Sequence, residues 1–273
     1  MMRRLELALL IILACSAHRV AAQTTCTLAI TTLNFGTYND TLLNGTATGT
    51  VKCAGAWNIP LNAGTGAGAT ETVRKMTGPG GAEISYELFT DATRTTNWGN
   101  TTGNEVTGTG NATVTVYGQI PAGQYVAQGT YTDTISSATE SFTVTVLIQA
   151  TCTIAANPLN FGAYSGALLD ASTSLSVSCT RAANYNVGLS AGLATGATVT
   201  NRSMSGPSAA LLNYKLFSNS GYSTNWGNTV GTDTVAGTGT GTAQSLTVYG
   251  QIPAGQWVRP GSYTDTITAT VTY

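Results

Sequence analysis

The chain has 273 residues, of which only 8% are charged, and its 11 basic and 12 acidic residues leave a formal net charge of −1. So few charges exclude a polyelectrolyte-like disordered chain and leave no basic face for nucleic acid. Fifty threonines and 32 glycines favour strands separated by turns, and the length fits one large β domain or two small ones.

Residues 1–22 read as an export signal: Arg3 and Arg4 form a basic start, Leu7 to Ala14 an apolar stretch too short to span a bilayer, and Val20-Ala21-Ala22 a small-residue cleavage site. An alternative cleavage before Cys15 would keep that residue as a lipid anchor, but Leu13 directly after Ile12 fits such a site poorly and the later site is available. Cleavage after Ala22 removes His18, the single histidine of the chain. The mature protein is then expected to lack both the commonest general base and the commonest metal ligand.

The four remaining cysteines are Cys26, Cys53, Cys152 and Cys179, and the two members of each successive pair are separated by the same interval. Three connectivities are formally open, but only Cys26–Cys53 with Cys152–Cys179 keeps each bridge inside its own half. An exported chain meets oxidising conditions, and closing such a loop contributes about 3–3.5 kcal/mol. No pair has the short spacing of a zinc site.

The halves repeat. Thr25-Cys26-Thr27 recurs as Thr151-Cys152-Thr153, Leu33-Asn34-Phe35-Gly36 as Leu159-Asn160-Phe161-Gly162, and Asn97-Trp98-Gly99-Asn100 as Asn225-Trp226-Gly227-Asn228. Thr115 to Gln124 matches Thr247 to Gln256, and Tyr131 to Ile135 matches Tyr263 to Ile267. Each copy is long enough for its own core. Thr113 to Tyr117 and Ile267 to Tyr273 alternate with period two, and Gly-Thr and Gly-Asn clusters interrupt such runs, which predicts two antiparallel β-sandwiches in series.

These motifs, with Val51-Lys52-Cys53 and Val177-Ser178-Cys179, Tyr86 to Phe89 and Tyr214 to Phe217, and the shared Tyr-Gly-Gln-Ile-Pro-Ala-Gly segment, resemble the spore coat protein U domain family, which includes subunits of archaic chaperone–usher pili. The resemblance covers nearly all of both copies in motif order. It implies an all-β chain of two immunoglobulin-like pilin β-sandwiches, each short of its last strand. The implied partners are a periplasmic pilus chaperone, an outer-membrane usher and a neighbouring pilin subunit that supplies the strand. The implied location is the periplasm in transit and then the cell surface, in a fimbrium.

The first copy continues past Ile135 through the polar Ser136 to Glu140 into Ser141 to Gln149, where Phe142, Val144, Val146 and Ile148 share one face and Leu147 alone breaks the pattern. Such a half-buried strand is expected to complete the first sandwich in cis. Burying four such side chains contributes roughly 6–12 kcal/mol, comparable to a domain's whole stability of about 5–15 kcal/mol. The expected organisation is therefore a signal at 1–22, a completed sandwich at 23–149 and a strand-accepting domain at 150–273, the latter without a comparable strand after its Ile267 segment. Gln23, Thr24 and Thr25 reach only about 10 Å ahead of Cys26, shorter than a strand needs. The chain is expected to accept a strand without donating one, as a fibre-tip subunit does.

Other motifs carry less. Gly188-Leu189-Ser190-Ala191-Gly192 has the form of a nucleophile elbow but lacks a helix and a histidine base, so no catalytic residue, cofactor or metal is expected. Asp133 and Asp265 are repeated carboxylates in separate copies, suited to hydrogen bonding. Trp98 and Trp226, being repeated, are expected in the cores. Trp57, which has no tryptophan counterpart, and the loop around Arg74, Lys75 and Met76, taken as unmatched in the second copy, are the speculative surface contacts. The expectation is a non-enzymatic tip subunit serving adhesion and biofilm formation. The alternatives are a structural coat or shaft-associated subunit and, with Ser190 as nucleophile, a secreted hydrolase.

Overall fold

A computed structural model describes residues 26–273; the expected signal and Cys15 lie outside the described residues. The first repeat forms β1 (Thr27–Ile30), β2 (Leu33–Tyr38), β3 (Leu43–Lys52), β4 (Ala56–Ile59), β5 (Arg74–Thr77), β6 (Glu83–Phe89), β7 (Val106–Thr109), β8 (Ala112–Ile120), β9 (Gly129–Ser136) and β10 (Ser141–Ile148). The second forms β11 (Cys152–Ala156), β12 (Leu169–Cys179), β13 (Asn184–Leu189), β14 (Arg202–Ser205), β15 (Leu211–Phe217), β16 (Val235–Thr238), β17 (Ala243–Ile252) and β18 (Ala269–Thr272). The helical residues among those described form two short 3-10 turns, Pro79–Gly81 and Pro207–Ala209, each entered through proline.

In the first domain the hydrogen-bonded order is β1-β3-β8-β6-β5-β9-β10-β2, with β4 and β7 as a separate pair. Strand β6 turns the corner: Glu83 to Tyr86 pair with β5, whereas Glu87 to Phe89 pair with β8. One chain segment thereby serves both layers, which fold over a core of alternate residues. The alternation is visible in β8, where Val114, Val116 and Ile120 point inward, and in β9, where Tyr131, Asp133 and Ile135 do. The second domain repeats the plan as β11-β12-β17-β15-β14, with β16-β13-β18 as its smaller sheet.

Each domain has its own core. Trp98 and Trp226 anchor them, fully buried, with their indole N–H groups donating to the Ile59 and Val187 carbonyls at 2.8 Å each. The disulfides are Cys26–Cys53, which joins the residue before β1 to the residue after β3, and Cys152–Cys179, which joins the start of β11 to the end of β12. Cys152 and Cys179 lie directly opposite one another across the β11–β12 ladder.

The final alternating segment is shorter as a strand than its pattern predicts. Only Ala269–Thr272 joins a ladder, with β13, and Tyr263 to Thr268 run beside the domain outside any strand. In the first copy the counterparts of β18 form the turn Ser137–Glu140, closed by the Ser137 N–H donating to the Glu140 carbonyl at 2.7 Å, which sends the chain back as β10.

Candidate functional site

The copies differ most where β10 lies. In the first domain β10 runs antiparallel to β9, from Ser141 opposite Ser136 to Ile148 opposite Gly129, and parallel to β2, from Val144 opposite Leu33 to Ile148 opposite Tyr38. Phe142, Val144, Val146 and Ile148 are 5%, 0%, 1% and 6% exposed, while Leu147 faces outward. Both neighbours of β10 are consequently well-formed strands, and their Leu33, Phe35, Tyr131 and Ile135 are buried.

The second domain has an open groove at this place, about 450 Å³ in volume. Leu175, Leu189, Leu216 and Val248 form its floor; Leu159, Phe161, Tyr263 and Ile267 form its walls. The floor residues are buried, whereas the four wall residues, counterparts of Leu33, Phe35, Tyr131 and Ile135, are only half-buried. Residues 159–164 and 263–268 belong to no strand, because neither has a ladder partner on the groove side. Among the described residues nothing of this chain occupies the groove as β10 occupies its counterpart.

A polar network lies beside each of these places. The Tyr86 hydroxyl donates to Asp133 Oδ2 at 2.7 Å, and Asp133 Oδ1 accepts from the Thr65 N–H, the Thr65 hydroxyl and the Thr134 N–H, each at 2.7 Å. In the second domain Tyr214 donates to Asp265 Oδ2 at 2.7 Å, and the Leu193 and Thr266 N–H groups donate to Oδ1 at 2.8 Å. Burial, reinforced by the adjacent carboxylate, holds both phenols far above the ordinary tyrosine range. Asp133 is buried under the completed sheet, whereas Asp265 lines the open groove. The close approach dictates glycine at Gly64 and Gly192: both have positive φ, and a Cβ there would lie 2.0 Å from the carboxylate oxygen.

Arg74 and Met76 are fully buried, which removes them as surface contacts. The segment that holds them is a strand, and it has a counterpart in Arg202 to Ser205 of the second copy. Arg74 donates to the carbonyls of Asn62 (2.9 Å), Glu71 (2.7 Å), Leu61 (3.4 Å) and Trp98 (2.6 Å). Arg202 repeats the pattern on Ser190, Val199, Leu189 and Trp226 at 2.6–3.0 Å. A guanidinium with five fixed donors suits such a junction of loop carbonyls, and burial lowers its affinity for the proton in both domains. Lys75 is spent on Glu83, 2.8 Å away, and on the Ala67 carbonyl. Trp57 is half-buried, its N–H donating to the Gly110 carbonyl at 2.8 Å, and it packs against the edge of the first core, whereas its counterpart Tyr185 is buried within the second. The four do not form one exposed face.

Ser190 Oγ accepts from the Thr268 N–H at 2.9 Å and holds a turn, the position that Asn62 takes in the first copy by accepting from Ser136. The Arg–carbonyl and Tyr–Asp networks were legible only as repeated letters. Arg74/Arg202, Tyr86/Tyr214 and Gly64/Gly192 recur at equal spacing, but nothing local in the sequence brings them to their partners.

The chain is thus a pair of disulfide-stapled β-sandwiches of one plan, the first filled by β10 and the second open at the corresponding groove. The chain belongs to the Spore Coat Protein U domain family, whose sequence pattern matches twice, over residues 12–137 and 138–270. It is 37% identical over 122 residues to "Protein U" of Myxococcus xanthus, with 38% of this chain and 68% of that protein covered. In fold it is similar to a chain of the CsuC–CsuE chaperone–tip adhesion subunit pre-assembly complex from the archaic chaperone–usher Csu pili of Acinetobacter baumannii. That similarity has a TM-score of 0.54 at 16% identity, covering 91% of this chain and 100% of the other.

Proposed function

We propose that this protein is a non-enzymatic subunit of a chaperone–usher pilus, positioned at the fibre tip and serving adhesion and biofilm formation. In this reading residues 23–149 form a domain completed in cis by β10, and residues 150–273 form a domain that accepts a strand from a neighbouring pilin subunit. A periplasmic pilus chaperone occupies the groove first, and an outer-membrane usher mediates the exchange. The observation that carries the reading is the contrast between buried Leu33, Phe35, Tyr131 and Ile135 and their half-buried counterparts around an apolar groove. The family boundary supports it as well: the second match begins at residue 138, so β10 belongs to the second family unit while its side chains lie in the first core.

A β-strand is the occupant that an apolar groove between two unpaired backbone segments recognises. The test is a synthetic peptide of residues 141–149 added to the full-length protein. Saturable binding with a raised melting temperature of the second domain is expected; absence of binding would sink the acceptor role. Adhesion by cells whose fibres lack this chain tests the tip role, with loss of attachment expected. Family membership and the 37% identity to Protein U favour the second reading, a structural coat or shaft-associated subunit, and unchanged attachment would select it.

A further inference from the structure

The joint between the two domains is a template for a contact at the far end of the second. In the joint, the Gln128 N–H donates to the Arg181 carbonyl at 3.0 Å and its side-chain amide to the Ala182 carbonyl at 3.2 Å. Tyr125 comes close to Gly241, its Cβ 4.0 Å from where a Cβ there would stand, and with Asp40 and Arg181 it lines a cleft of about 460 Å³ between the domains. The turn that presents Tyr125 is held by the Gly123 N–H donating to the Asp40 carbonyl at 2.9 Å. The second domain builds the same turn, with the Gly255 N–H donating to the Gly166 carbonyl at 2.9 Å, and presents Trp257 in place of Tyr125.

Trp257 is 88% exposed, more than any other large apolar side chain among the described residues, and Tyr125 is 64% exposed. The counterpart of Gln128 is Pro260, which has no N–H. The hydrogen-bonded part of the joint therefore cannot recur there, while its aromatic part is enlarged from a phenol to an indole.

The register of β10 says what arrives at this end. Ile148, the last residue of β10, lies opposite Gly129 and Tyr38, and only Gln149, Ala150 and Thr151 separate it from Cys152 of the next domain. A strand held in the second groove in the same register ends opposite Gly261 and Tyr164. Three linking residues span about 10 Å, so the domain behind that strand lands beside Trp257.

We infer that the Trp257 end of the second domain is the docking face for the domain of the next subunit, a sandwich of the same family joined to its donated strand by a short linker. The matching element on that partner is the turn after its second disulfide cysteine, which in the joint of this chain carries Arg181 and lines the cleft with Tyr125. The inference rests on the strand-acceptor reading proposed above.

The test extends the full-length chain after Tyr273 by a flexible Gly/Ser linker. One version continues with residues 141–149 alone, the other with residues 141–273 carrying Trp257→Phe in the appended copy. With Trp57→Phe in every version, iodide quenching then reports chiefly on the exposed Trp257, since Trp98 and Trp226 are buried. In both versions the second domain of the parent part is expected to melt above that of the parent, while the appended domain of the longer version, its own groove open, keeps the parent's lower transition. Only the longer one is expected to show a severalfold fall in quenching, and Trp257→Ala in its parent part is expected to increase its radius of gyration. If both melt higher but quench alike, the docking face is overturned while the groove stands. If the strand-only version melts as the parent does, the acceptor reading fails and the docking face falls with it.

Discussion

Gly64 and Gly192 show how one missing carbon permits a buried carboxylate. With positive φ and the Asp133 or Asp265 oxygen 2.0 Å from the place of a Cβ, alanine there is opposed by both backbone and contact. Gly64→Ala is expected to destabilise the first domain by more than about 1 kcal/mol, read from the denaturant midpoint. Gly36→Ala, at φ +81° with nothing within 4 Å of its Cβ, meets only the backbone cost and is expected to lose less. The tyrosines bonded to these carboxylates set a pH limit. Because the folded-state affinity of Tyr86 and Tyr214 for the proton is raised above the unfolded value of about 10, their contribution is fully present below that pH. Above it the unfolded chain releases protons that the folded chain keeps, so stability falls as pH rises. Tyrosinate absorbance should show two phenols that ionise only on unfolding, and Tyr86→Phe with Tyr214→Phe should remove that lag.

Strand β10 is the element on which the first domain depends. Alanine at Phe142, Val144, Val146 and Ile148 removes buried side chains whose truncation costs about 2–5 kcal/mol each at the larger positions. The sum reaches a domain's entire stability. The expected outcome is loss of the first-domain melting transition with the Cys26–Cys53 bridge still formed, as mass spectrometry of the non-reduced protein would show. An unchanged transition would contradict the central place given to this strand. Alternation made β10 readable in advance, since Val and Phe in every second position state which face is buried. The same logic overextended at Ile267 to Tyr273. Alternation describes a segment able to pair, but whether it pairs depends on a neighbouring backbone, and 263–268 has none on its groove side. Arg74 to Thr77 misled in the opposite sense: charged letters before Gly78-Pro79-Gly80 resemble a loop, yet four carbonyls draw the arginine inside.

At the scale of the molecule, two similar sandwiches carry unequal shares of stability. Among the described residues the polar contacts between them include little more than the Gln128 hydrogen bonds and that of Thr180 with the Gln149 carbonyl at the linker, so the domains are expected to unfold separately. Calorimetry should resolve two transitions, the lower belonging to the second domain, and the peptide of residues 141–149 should raise only that one. A single transition insensitive to the peptide would show that the open groove carries no stability deficit.

Repetition, cysteine spacing and alternation, all local or periodic properties, were enough by themselves to determine that this chain makes two disulfide-stapled β-sandwiches with an extra strand between them. Which side chains share a hydrogen-bond network, which turns become corners and which apolar segments remain uncovered was decided only by the tertiary structure. Those outcomes depend on backbone groups brought together from distant positions, where a carbonyl, a missing Cβ or an absent neighbour leaves no mark on the letters nearby.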